Sequence, residues 1–198
     1  MLVHPVSDRA FADLEKEVIY IKERAREPFA LVAFPINNWM QELSPWPAPP
    51  AFGNESFGNG APQTLRFVLD ELLPAVVSGR EACLIGGYSL AALFTLWATY
   101  QTDQFMGAAC ASPPLWMKGW EAYATGHRIQ AQKVYLSLGD REDKTRNQLI
   151  ARGGECLQRQ AELLAPHTEC RVERTSGGHF ERQAERVAHA FLWLMDSC

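Results

Sequence analysis

The run Gly87-Tyr88-Ser89-Leu90-Ala91 sets a serine between two small residues, after one apolar stretch and before another. A strand-to-helix turn that tight needs small flanking positions, and it lifts the serine hydroxyl above the carboxyl end of its strand. It also aims the next backbone N–H, that of Leu90, at a developing oxyanion, where the dipole of the following helix favours negative charge. The usual Gly-x-Ser-x-Gly pattern ends here in Ala91, and Gly86 is expected to add backbone freedom ahead of the turn. A serine after a glycine turn can also cap a helix with no chemistry at all, and five residues alone do not separate the two.

A serine hydroxyl is a weak nucleophile until a base takes its proton. Of the five histidines, His4 falls at a strand end, His127 and His167 in polar connecting segments, and His189 inside the final helical pattern. His179 differs, because Gly177-Gly178-His179-Phe180 lies between the last strand and the last helix, at the sheet edge that carries Ser89. The two glycines allow that loop to lay the imidazole over the serine. A carboxylate must then orient the imidazole and stabilise its charged form. Asp140, Glu142 and Asp143 compete for that role after the run Ser137-Leu138-Gly139.

The elements that must hold these groups follow from periodicity. Strand-length apolar runs alternate with longer helical patterns, the signature of a parallel α/β sheet. Strands are expected near residues 2–6, 29–34, 82–86, 105–111, 133–138 and 169–175. Helices are expected over 8 to about 26, 64–77, 90–101, 147–164 and 181–195. In the first helix Phe11, Leu14, Val18 and Ile21 recur at helical spacing. Gly153-Gly154 should weaken the fourth helix by ~1 kcal/mol per glycine. Residues 35–62 are too rich in proline and glycine for a regular element, yet Trp39, Trp46, Phe52 and Phe57 favour an ordered loop.

Composition narrows the function classes. A chain of 198 residues with 47% hydrophobic positions is expected to form one globular domain over 1–198. The formal charge of −4 is spread along the chain, with no basic block interleaved with aromatics, so nucleic acid is not an expected partner. The five cysteines are scattered and never form a C-x-x-C pair, which argues for reduced thiols and against a zinc site or disulfide framework. No apolar run reaches a membrane span, and Met1-Leu2-Val3-His4-Pro5 lacks the features of a signal peptide, so no membrane partner and a cytoplasmic location are expected. Oligomeric state is not legible.

The order serine, acid, histidine, each just past a different strand, is the chain order of α/β-hydrolases. Gly-Tyr-Ser-Leu-Ala, Gly-Asp-Arg-Glu and Gly-Gly-His-Phe resemble that superfamily in its Putative esterase branch, which is similar to esterase D and the siderophore esterases. The resemblance spans residues 2 to 193. It implies a three-layer α/β sandwich, a Ser–acid–His triad, no cofactor, and hydrolysis of a small-molecule carboxylic ester or thioester. It also implies that the acid stands three residues past the strand-end glycine, which selects Glu142, with Asp140 as runner-up and Asp143 third. The strand over 2–6 matches the one ending in His-Gly that supplies the second oxyanion N–H. Pro5 stands in the glycine's place and has no N–H, so Val6 becomes the expected donor, with Ser7 the alternative. The chain starts at the family's third strand, which implies a trimmed sheet of six parallel strands in the order 4-3-5-6-7-8, without a large cap. The loop over 39–57 and the segment 116–120 are then the expected pocket walls, with Tyr88, Trp39, Trp46 and Trp116 as substrate-binding residues. A peptidase using the same triad, and a non-catalytic small-molecule binding protein on the same scaffold, are the alternative functions.

Overall fold

Six short apolar runs become the strands of one parallel sheet in the computed structural model, which describes residues 1–7, 11–51, 53–77, 79 and 82–196. The helix start expected at Asp8, the loop residue Phe52 and the thiol of Cys198 lie outside the described residues. The strands are β1 (Leu2–Val6), β2 (Leu31–Pro35), β3 (Leu84–Tyr88), β4 (Gly107–Ala111), β5 (Lys133–Gly139) and β6 (Glu169–Thr175). They pair in the order β2-β1-β3-β4-β5-β6, and every pair is parallel. This is the order expected of the trimmed sheet. The chain steps outward from β1 to β2 and then returns to β3, so a crevice opens at the carboxyl ends of β1 and β3.

The helices are α1 (Phe11–Lys22), α2 (Trp39–Glu42), α3 (Ala61–Phe67), α4 (Leu73–Val76), α5 (Leu90–Gln101), α6 (Trp120–Gly126), α7 (Gly153–Leu164) and α8 (Gln183–Met195). α1 and α8 cover one face of the sheet through Ile21, Val187, Phe191 and Leu194. α5 and its neighbours cover the other, where Ile85, Phe94, Leu96 and Val134 meet. The centre of the sheet is built for close approach. β3 (LIGGY) and β4 (GAACA) are buried along their whole length, and every residue of α5 from Leu90 to Tyr100 is buried. β6 closes one edge with exposed Glu169, Arg171 and Arg174, a charged rim that discourages further strand pairing.

Local departures from the periodic pattern have physical causes. On α1 Ile21 is fully buried, but Phe11 is exposed and Glu17 turns inward instead, its carboxylate 3.2 Å from His4 Nδ1. The helix expected over 64–77 begins at Ala61 and widens into a π-helical turn over Val68–Leu72 ahead of Pro74. A proline ring crowds the carbonyl four residues back, and the wider turn relieves that clash. Gly153 and Gly154 open α7 rather than interrupting it. A Cβ on Gly154 would lie 2.6 Å from Asp143 Oδ2, so the glycine admits the neighbouring loop. The proline-rich stretch is ordered: Asn38 caps α2 through its side chain, and Ala48 bridges to Phe57.

Candidate active site

The turn after β3 is strained where the chemistry needs it. Ser89 has φ 57° and ψ −124°, a backbone state that costs a non-glycine residue about 1–3 kcal/mol. Its N–H is held by Ala111 O at 2.9 Å, and its carbonyl accepts from Ala92 and Leu93 at 2.9 and 3.1 Å. The side chain makes no capping bond to α5, so the helix-cap reading of this serine does not describe it. Gly87 provides the space, since a Cβ there would lie 2.7 Å from both the carbonyl carbon and the Cβ of Ala91. Ala91 is tolerated in place of the usual glycine because position 87 has no side chain. Gly86 answers to packing rather than to backbone freedom: a Cβ on it would meet Phe191 Cζ at 2.3 Å.

Ser89, His179 and Glu142 come together from three loops. His179 Nε2 lies 3.0 Å from Ser89 Oγ, and His179 Nδ1 lies 2.6 Å from Glu142 Oε2. Gly177 makes the turn at φ 120°, which lets the histidine loop fold back over the serine. Gly139 lets the acid loop pass close beneath, for a Cβ there would lie 2.3 Å from Gly177 O. The competing acids have other tasks. Asp140 Oδ1 accepts from Gly177 N at 2.9 Å and so tethers the histidine loop, while Asp143 pairs with Arg174 at 2.8 Å. Arg141 clamps Glu181, two residues past the histidine, at 2.6 and 2.7 Å.

Glu142 is nearly buried, at 6% side-chain exposure, and burial by itself would push its carboxyl upward. Hydrogen bonds from His179 and Ser112, the charge of His179 and the Gly139 N–H outweigh burial and hold it at about 2. The group is therefore an acceptor throughout the neutral range.

The serine and histidine open onto a cleft of about 510 Å³ between the ends of β1 and β3, α1 and the start of α8. Trp39 and Tyr88 line it, and Phe180 stands at its rim with 87% of its surface exposed. Trp46 and Trp116 are not brought to it. Trp46 stacks on Trp120 with ring centroids 6.2 Å apart and donates to Lys118 O, and Trp116 packs edge-on against Phe57. A model of the Putative esterase family matches residues 13–185 of the chain.

The chain belongs to that family.

Among curated proteins, none matches at the sequence level. Among solved structures, the chain is similar to the siderophore hydrolase EstA from Aspergillus nidulans, at 16% identity and a TM-score of 0.70, covering 99% of this chain and 82% of that one. It is similar to an IroE-like serine hydrolase from Shewanella oneidensis, at 12% identity and a TM-score of 0.74, covering 98% and 70%. It also resembles the enterobactin esterase of Shigella flexneri, at 16% identity and a TM-score of 0.68, covering 99% of this chain and 52% of that one. At such identities the likeness shows the fold, a three-layer α/β-hydrolase sandwich. Family and neighbours together support ester hydrolysis. No helix among the described residues is long and apolar enough to cross a membrane.

For this esterase-family chain, the departure at Pro5 can be followed in the strand register. Leu2 N bonds Ala30 O, and Ile36 N bonds Val6 O. A parallel ladder repeats every second residue, and Val6 is opposite Pro35, so the Val6 N–H points into the sheet at Phe34. Ser7 follows the last paired residue, and it borders the cleft beside Ser89. The register therefore favours the alternative donor, Ser7, over Val6.

Two groups of the site, Ser112 and Arg186, escaped the sequence reading, as did the part Tyr88 plays beside them. Ser112 follows β4 with φ 53°, as Ser89 follows β3, and its Oγ donates to Glu142 Oε1 at 2.6 Å. Arg186, only 4% exposed, lies 2.9 Å from the same oxygen and also donates to Ser112 Oγ. Its Nη1 donates to Tyr88 Oη at 2.6 Å, and that phenol donates to His179 O at 2.6 Å. Burial pushes the Tyr88 hydroxyl up to about 12 despite the nearby Arg186 charge, so it remains a donor. One signal was available: Arg186, Ala190 and Leu194 form an i, i+4, i+8 stripe, which sets a charge in line with the apolar face of α8.

Proposed function

We propose that the chain is a serine esterase that works through an acyl-enzyme on Ser89. The observation that carries this reading is the continuous contact from Ser89 Oγ through the His179 ring to Glu142, at 3.0 and 2.6 Å. His179 Nε2 takes the Ser89 proton as Oγ attacks the ester carbonyl, and the carbonyl π pair moves onto oxygen. That oxyanion is met by the N–H of Leu90, which has no intrahelical acceptor in the first turn of α5, and by the N–H of Ser7. Collapse of the tetrahedral adduct breaks the bond to the leaving oxygen, which takes the proton from His179. Water, deprotonated by the same nitrogen, then attacks the acyl carbonyl and releases the acid and free Ser89.

The substrate class follows from the walls of the cleft. Its two acids are both partnered, Asp13 by Lys16 at 2.7 Å and the buried Glu17 by His4 at 3.2 Å. The aromatic surfaces of Trp39, Tyr88 and Phe180 suit a planar or apolar group. A small-molecule ester that carries a planar or apolar group is therefore the substrate class we propose. The cytoplasm is the compartment in which we place the reaction, in line with the reduced thiols of Cys110, Cys156 and Cys170 among the described residues.

The test is hydrolysis of short p-nitrophenyl esters by the S89A variant. Turnover should fall by about 10⁴–10⁶-fold with the fold intact. Unchanged hydrolysis by folded S89A would refute the assignment.

A further inference from the structure

We propose that Arg186 is a positioning residue for this reaction, one buried cation that fixes both the triad acid and the triad histidine. The proposal rests on the Ser89 esterase reading above. Nη1 of Arg186 lies 2.9 Å from Glu142 Oε1 and 2.6 Å from Tyr88 Oη, and Nη2 donates to Ser112 Oγ. Ser112 passes its own proton to Glu142 Oε1 at 2.6 Å, and Tyr88 passes its proton to the His179 carbonyl at 2.6 Å. The guanidinium thus occupies one carboxylate oxygen directly and through a hydroxyl, leaving Oε2 for the imidazole. By way of Tyr88 it also holds the backbone of the residue that carries the imidazole.

Stability alone does not account for a cation here. A buried charge must be stripped of water, and well-packed apolar residues of similar volume usually serve stability as well or better. The fit is also incomplete, since among the described residues Arg186 Nε finds no acceptor although it is fully buried. What the fork supplies is geometry. Its planar, divergent donors reach Glu142, Ser112 and Tyr88 at once, which the compact ammonium of a lysine cannot do.

Electrostatics makes the role measurable. The groups facing His179 are Tyr88 from β3, Ser89 after it, Glu142 from the loop after β5 and Gln183 from α8, and Arg186 stands behind Tyr88 and Glu142. Asp140 and the Arg141–Glu181 pair flank its loop, and His4, Asp13 and Glu17 face the same cleft from β1 and α1. Among these only Arg186 is a buried, permanent cation next to the acid, so its loss leaves the imidazolium less opposed.

The experiment compares R186M and R186K with the native chain on a p-nitrophenyl ester, with melting temperature and fluorophosphonate labelling of Ser89 as controls. Folded R186M should lose about 10²–10³-fold in kcat with KM changed less than about threefold, the pattern of a displaced acid–base pair. The acid limb of its kcat/KM profile should move up by about one pH unit. R186K should recover about tenfold of the lost kcat and about half of the limb movement, because it restores charge without the fork. Folded R186M with native kcat and an unmoved acid limb would overturn the proposal, as would folded R186K with native kcat. If R186M does not fold, R186K alone decides by the same readouts. Native protein that fails to label at Ser89 would instead overturn the esterase reading itself.

Discussion

Glu142 divides its two carboxylate oxygens between different tasks. Oε2 lies 2.6 Å from His179 Nδ1, while Oε1 gathers the Ser112 hydroxyl, the Gly139 N–H and Arg186. A carboxylate held on one side by three donors cannot rotate away from the imidazole. That fixes the ring tautomer, with the proton on Nδ1 and the lone pair of Nε2 facing Ser89.

The acid's identity is tested by replacing each candidate in turn. E142Q keeps the shape but loses the charge and one acceptor, and should cut kcat by about 10³–10⁴-fold. D140N and D143N should stay within about tenfold, because Asp140 braces Gly177 and Asp143 pairs with Arg174. A larger loss in D140N than in E142Q would reassign the acid.

Stability should carry the signature of the same carboxyl. Glu142 is held at about 2 in the folded chain, below its ordinary value of 4.5. A depressed value means stability that is fully present above pH 4.5 and is lost as pH falls through about 2. The amount is of order 3 kcal/mol at neutral pH. Urea midpoints of the native chain and E142Q should therefore differ by a constant amount above about pH 5 and diverge from that constant below it. A difference that stays flat from pH 6 to pH 2.5 would show that Glu142 is not held down.

The oxyanion donor can be located with a pair of substitutions at one position. S7A removes only a side chain and should leave kcat within about threefold, whereas S7P removes the N–H and should cost about 10²–10³-fold. Proline restricts the preceding residue to extended backbone, which Val6 already adopts in β1, so the sheet should survive. Native turnover in folded S7P would move the donor elsewhere.

The two glycines before the serine should fail in different ways. G86A drives a methyl against the ring of Phe191 and should destabilise by about 1–3 kcal/mol, with F191L recovering part of the loss. G87A meets the backbone of Ala91, which no side-chain change can clear, and should abolish turnover by displacing Ser89. Full activity in G87A would mean that the turn does not need the space assigned to it.

The legible part of this protein is the local part. Glycine turns at strand ends mark where a serine, an acid and a histidine reach one edge of a sheet, and those marks survive in a bare sequence. The sheet order came from the resemblance to the α/β-hydrolases, and the observed order β2-β1-β3-β4-β5-β6 agrees with it. Arg186 was hidden because a charge on a helix is ordinarily solvated, and only packing against β3 and β4 turns this one inward. Ser112 lies in an unremarkable Ser-Pro-Pro run, and its role depends on a carboxylate 30 residues away in sequence. Trp46 and Trp116 show the limit of composition, since aromatics wall pockets and fill cores with the same surfaces. Choosing between Val6 and Ser7 needed strand register, which a five-residue strand does not reveal by itself.

The most direct measurement is mass spectrometry of the intact chain and its peptides after reaction with a fluorophosphonate. The account expects a single adduct on the peptide containing Ser89, absent from S89A and slowed in E142Q. Folded native protein that takes no label, or that takes it at another serine, would contradict it.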